Sequence, residues 1–144
     1  MQDHTKLLVW RKARALTVSV KEIARTFPPT LAPGLRAQLM RSTMSISATI
    51  AEGAGRATRV DFARFVTMAA SSATETEHHL TVAGDLGLVE IGIVSRLVDR
   101  VVEVRRMLYG LHRALIAADE EEPREPTKSK PPNPAEPERR SDAL

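Results

Sequence analysis

The sequence predicts an all-α protein, an antiparallel up-down-up-down four-helix bundle followed by a disordered C-terminal tail. Three observations carry that reading. Apolar residues recur at steps of three and four over four separate stretches, the period of a helix with one buried face. No proline interrupts the chain between Gly34 and Glu122, so helix is free to run there. Aromatic residues make up only 3% of the chain, fewer than a sandwich or barrel usually carries, while 42% hydrophobic residues is ordinary for a globular protein.

The first helix occupies residues 7–27. Its stripe is Val9, Ala13, Leu16, Val20, Ile23 and Phe27, with Asp3 or Thr5 as cap and Pro28-Pro29 as the stop. The second follows Pro33 and carries Leu35, Leu39, Ile46 and Ile50 on one stripe. Gly53 and Gly55 end it, read as two positions of positive φ. The third opens at Thr58-Arg59-Val60-Asp61, a capping-box pattern with Asp in place of Glu. Its stripe of Phe62, Val66, Ala69, Ala73, Thr76, Leu80 and Ala83 is rich in small residues. Small residues let another helix approach closely, either a neighbour in the chain or one from another subunit. Phe65 and Met68 fall off that stripe, which makes the third helix apolar on two faces and points to an oligomer. Gly84 and Gly87 mark its end. The fourth carries Val94, Leu97, Val98, Val101, Val104, Leu108, Leu111 and Leu115. Short connections make sequential helices antiparallel, and the near-3.5 period favours shallow crossing angles.

The bundle domain is residues 1–118 and the tail residues 119–144. The tail holds six of the nine prolines, and its only hydrophobic residues are Ala135, Ala143 and Leu144. That is too little apolar surface to offset the entropy lost on ordering it. Charge divides the same way. Residues 1–118 carry 16 Lys+Arg against 10 Asp+Glu, a net of +6, and the tail carries 5 against 8, a net of −3. Thirteen of the 16 are Arg, whose planar fork grips phosphate or carboxylate at two points. This balance permits a nucleic-acid partner without requiring one. The absence of Cys excludes disulfides, thiolate metal sites and cysteine nucleophiles. No run reaches the ~18–20 apolar residues of a membrane span. Leu7–Trp10 is followed at once by Arg11 and Lys12, unlike a signal-peptide core. The expected location is the cytoplasm, with no membrane partner.

Residues suited to catalysis do not group. His78 and His79 are adjacent and so point about 100° apart on a helix, which prevents them from sharing a metal as an i,i+4 pair does. Glu75-Thr76-Glu77-His78 contains one Glu-x-x-His, half of what a di-iron bundle needs. Gly53-Ala54-Gly55-Arg56 has Thr58 where a dinucleotide loop has its third glycine, and no strand precedes it. No Gly-x-Ser-x-Gly elbow is present. The chain therefore reads as non-enzymatic, with no catalytic residue, no metal and no cofactor.

What remains is basic. Arg36, Arg41, Arg56, Arg59 and Arg64 fall within 29 residues, against Glu52 and Asp61. Arg59 lies beside a helix N-terminus, where backbone N–H groups also favour anions. The arginines of the fourth helix alternate with Asp99 and Glu103 and read as ordinary helical ion pairing, for instance Glu103–Arg106. Phe62 and Phe65 are assigned to packing, so base stacking is not expected.

The run from Leu39 to Arg56, with Ile50-Ala51-Glu52-Gly53-Ala54-Gly55-Arg56 as its most distinctive part, then Phe62-Ala63-Arg64-Phe65, resembles the four-helix bundle proteins encoded in intervening sequences of bacterial 23S ribosomal RNA genes. Leu8-Val9-Trp10-Arg11-Lys12-Ala13 is similar to that family's opening, and Phe27-Pro28, Glu75 and Leu80 fit its pattern. The likeness covers residues 7–116. Ser47, Thr49 and Ser71 stand where the family usually has Pro, Asn and Gly. The resemblance implies a homopentamer without known catalytic activity. By architecture alone, it extends to the pentameric accessory protein of diversity-generating retroelements, which binds a reverse transcriptase and nucleic acid.

The first functional expectation is an oligomeric bundle that binds structured nucleic acid, RNA in the first place, through arginine–phosphate contacts of Arg41, Arg56, Arg59 and Arg64. The second is an interaction scaffold or accessory subunit for a nucleic-acid-processing protein. Arginines paired with Glu52 or Asp61 would favour the second.

Overall fold

The computed structural model describes residues 1–123. Four α-helices make up the fold: α1 (Leu8–Ala24), α2 (Pro33–Ala54), α3 (Arg59–Asp85) and α4 (Ile91–Glu121), with a 3-10 turn at His4–Lys6 before α1. The described residues contain no strand. α1 packs on α2 and α4, and α3 packs on the same two helices, so the four surround one core in chain order. Cross-helix contacts fix their directions. Ser42 meets Thr76, Ser45 meets Ser72, and Gly53 faces Phe65, so α2 and α3 run opposite ways. Gly84 against Val94 and Glu77 with Arg105 do the same for α3 and α4.

Most of the periodic stripes became the core, with Leu35, Val98 and Leu111 only partly buried against it. Leu16, Leu39, Ile46, Ile50, Leu80 and Leu108 are fully buried. Each is worth about 1.5–3 kcal/mol relative to exposure. On α1 the expected stripe holds except at its end, where Ala24 is buried and Ile23 only half so. Phe27 is buried beyond the helix, anchoring the turn before Pro28. Asp3 does cap, but it caps the 3-10 turn, accepting from the Thr5 amide and hydroxyl, which hold its carboxyl below the usual value.

Two glycines play different parts from those expected. Gly53 and Gly55 both lack positive φ: Gly53 is inside α2, and Gly55 follows it at φ −80°. A Cβ on Gly53 would sit 2.5 Å from Phe65 Cβ and 2.9 Å from Phe62 Cδ2. Its glycine is needed for close approach of α3, not for a left-handed stop. Gly87 is the residue that does end a helix by positive φ, at +70°. There the Leu88 amide donates to the Ala83 carbonyl and the Gly87 amide to that of Gly84, closing α3 in a Schellman motif. At the start of α3, Thr58 Oγ1 accepts from the Asp61 amide as its sequence pattern predicts.

The small-residue stripe of α3 meets an internal neighbour. Ala69, Ala73 and Thr76 are buried in the same chain, and hydroxyls tie the helix to α2. Thr76 Oγ1 lies 3.0 Å from Ser42 Oγ, and Ser45 Oγ lies 3.0 Å from Ser72 Oγ. Among the described residues no buried side-chain polar atom lacks a partner.

α4 runs to Glu121, three residues past the expected end of the bundle domain at 118. No proline intervenes before Pro123, and an ion pair from Glu122 to Arg59 accompanies the extension. The remainder of the expected tail, residues 124–144, lies outside the described residues. Among the described residues no helix is long and apolar enough to cross a membrane.

Candidate nucleic-acid interface

Arg41 lies on α2, Arg56 lies within the α2–α3 connection, Arg59 opens α3, and Arg64 lies in the second turn of α3. Helix rise separates Arg41 from Ala54, the last residue of α2, by about 20 Å, so only three of the four share one end of the bundle. There Arg56 and Arg59 border a cavity of about 440 Å³ with Phe62, Leu115, Asp119 and Glu122. Arg56 also lines a smaller hollow with Asp61, Arg64, Phe65 and Met68.

Three of the four are closely paired with a carboxylate, and the fourth, Arg64, only loosely. Arg41 donates to Glu75 across the α2–α3 seam and to Gln38 Oε1 at 2.8 Å. Glu75 is shared, because His79 Nε2 lies 3.4 Å from the same oxygen. Arg56 Nη2 reaches Glu52 Oε1 at 2.9 Å, one helical turn back, and its guanidinium lies 4.4 Å from the Phe65 ring centre. Arg59 Nη1 meets Glu122 Oε1 at 2.8 Å. Arg64 Nη1 lies 3.8 Å from Asp61 Oδ1, too far for a hydrogen bond. The two acids that the sequence set against these arginines, Glu52 and Asp61, are thus both engaged.

The fourth helix behaves in the opposite way. The expected Glu103–Arg106 pair is replaced by Glu103 with Lys12 of α1, at 2.6 Å. Arg105 turns to Glu77 of α3, and Arg100 donates to Ser19 Oγ at 2.7 Å. Arg96, Arg106 and Arg113 are exposed and have no carboxylate within 4.0 Å among the described residues. Helical proximity in the sequence missed this, because Lys12 and Ser19 on α1 and Glu77 on α3 were closer partners than the charges on α4 itself.

Among the described residues no group of three or more His, Asp or Glu could hold a metal ion. The outer surface of the α2–α3 pair is mixed in character. Met44 and Met68 are about half exposed, with Ala48 and Ser71 exposed beside them. The ion pairs of Arg41 and of Arg56 stand at its two ends.

The comparisons agree with the fold. A family model described as 23S rRNA-intervening sequence protein matches residues 5–110, and the chain belongs to that family. The crystal structure of a protein with unknown function from the S23 ribosomal protein family of Bacteroides thetaiotaomicron VPI-5482 is similar at a TM-score of 0.67. It shares 20% identity, and the match covers 74% of this chain and 99% of that one. At that identity the likeness concerns the fold alone. The comparison with curated proteins gives no match.

Proposed function

We propose that this member of the 23S rRNA-intervening sequence protein family is a non-enzymatic interaction scaffold whose α2–α3 outer face receives a protein, a second copy of the chain first of all. The observation that carries this is the fate of Arg41, Arg56 and Arg59: each is closely paired with a carboxylate, as residues that shape a protein surface are, while Arg64 lies loosely beside Asp61. Exposed Met44 and Met68 support it, because methionine adapts to varied partners and is enriched with arginine at interfaces. Small Ala48 and Ser71 leave the face open to close approach.

Light scattering tests the reading. The wild type is expected at a multiple of 15.8 kDa, with five subunits as the resemblance implies. A Met44→Glu/Met68→Glu variant is expected to fall toward the monomer with its helical content intact. A wild-type monomer at micromolar concentration overturns assembly through this face.

Arginine–phosphate binding at the same four positions is the second reading. It is favoured by one observation: Arg59 stands at the α3 N-terminus, where backbone N–H groups also face an incoming anion. Such binding would have to displace Glu122 first.

A further inference from the structure

Tyr109 is the one aromatic residue that the described fold leaves substantially open. Phe27 and Phe62 are buried. Trp10 is half-buried, with the Arg14 guanidinium 5.5 Å from its ring centre, and Phe65 lies under Arg56. Tyr109 is 49% exposed, and no cation lies over its ring among the described residues. An exposed aromatic on a soluble face costs apolar hydration that burial elsewhere would have removed.

Its neighbours on α4 sharpen the point. Arg106 stands three residues before it and Arg113 four residues after, on the same side of the helix and opposite the buried line of Leu97, Val101, Val104, Leu108 and Leu115. Both arginines lack carboxylate partners among the described residues. Gly110 lies between them. A Cβ there would meet nothing closer than Arg113 Nη2 at 3.9 Å, so packing does not require glycine. Glycine inside a helix costs stability relative to alanine, and a bare backbone permits close approach of a ligand.

We infer that Arg106, Tyr109, Gly110 and Arg113 form a binding site for single-stranded nucleic acid on the outer face of α4. Arg106 and Arg113 take phosphates with their planar guanidinium forks. They stand about 10.5 Å apart along the helix at 1.5 Å per residue. That is close to three steps of a stacked strand at about 3.4 Å each. The Tyr109 ring between them stacks a base, a contact that every base can make, so the site binds without reading sequence. The bare surface of Gly110 lets the strand lie close to the helix. This site lies on a different helix from the face proposed for protein contact, so one chain can hold both partners.

Fluorescence anisotropy of a labelled oligouridine twelve-mer tests it. Wild type is expected to bind near 50 mM salt and to weaken as salt rises. Tyr109→Ala is expected to weaken binding about 5- to 150-fold, while Tyr109→Phe retains it. Arg106→Gln/Arg113→Gln is expected to lower the magnitude of the salt slope by about 1.4, two contacts at ~0.7 each. Gln at Arg41, Arg56, Arg59 and Arg64 together is expected to leave that slope unchanged. Helical circular dichroism confirms that each variant folds. The inference is overturned by wild type that does not bind the oligomer, or by Tyr109→Ala binding as wild type does. It is equally overturned if a duplex of the same length binds as tightly with the same dependence on Tyr109, or if Arg106→Gln/Arg113→Gln abolishes instead an affinity for phosphatidylserine vesicles.

Discussion

The α2–α3 seam and the outer face of α4 use the same residue type to opposite ends. Beside the seam, Arg41, Arg56 and Arg59 are closely paired with Glu75, Glu52 and Glu122, and Arg64 lies loosely beside Asp61. On α4, Lys12 takes Glu103 and Glu77 takes Arg105, which leaves Arg106 and Arg113 without partners among the described residues. Glycine divides the same way: Gly53 is filled against by Phe65, whereas a Cβ on Gly110 would meet only Arg113 Nη2, at 3.9 Å. The difference teaches that an arginine's availability is set by which carboxylates the fold brings near, and that neighbours along the chain are poor guides to it.

The strongest way to break the contrast is one substitution made in both regions. Gly53→Ala is expected to cost about 1–3 kcal/mol, because Phe65 Cβ is fixed to its backbone and cannot move aside. Thermal unfolding should show a Tm lowered by roughly 5–15 °C. An unchanged Tm would mean that α2 and α3 do not meet at Gly53. Gly110→Ala is expected to do the reverse and raise stability by about 0.5–1 kcal/mol from helix propensity alone.

Between those extremes lie the seam's polar contacts. Thr58→Ala removes the α3 N-cap and is expected to cost about 1 kcal/mol by urea unfolding. Thr76→Val removes the hydroxyl between Ser42 and the Ser72 carbonyl and should cost about 0.5–1.5 kcal/mol. A Thr76→Val variant more stable than wild type would mean that the hydroxyl seam does not hold α3 to α2. The smallest effect is expected for Arg56→Gln, near 0.2–1 kcal/mol, since its pair with Glu52 is exposed. A double-mutant cycle with Glu52→Gln isolates that term.

Most of the fold was legible in the sequence. Apolar period, the Thr58 cap and the clear run from Gly34 to Glu122 are local signals, and they placed the four helices within a few residues. The stripe of α3 was correct at every position from Phe62 to Ala83 because helical phase alone decides which residues share a face. Two of the misreadings needed a second helix. Gly53 resembles a helix stop in the sequence because close approach leaves no mark in its own segment. Glu103 points to Arg106 in the sequence, one turn away, because Lys12 is 91 residues distant in the chain.

The amino-acid sequence by itself determined the helices and their buried faces, since backbone hydrogen bonding and side-chain period act within a few residues. It also excluded cysteine chemistry and placed thirteen arginines in residues 1–118. Tertiary structure alone decided which of those arginines meet carboxylates and which aromatic ring stays open. Ion pairing and burial depend on distances between helices, and those distances exist only once the core has packed.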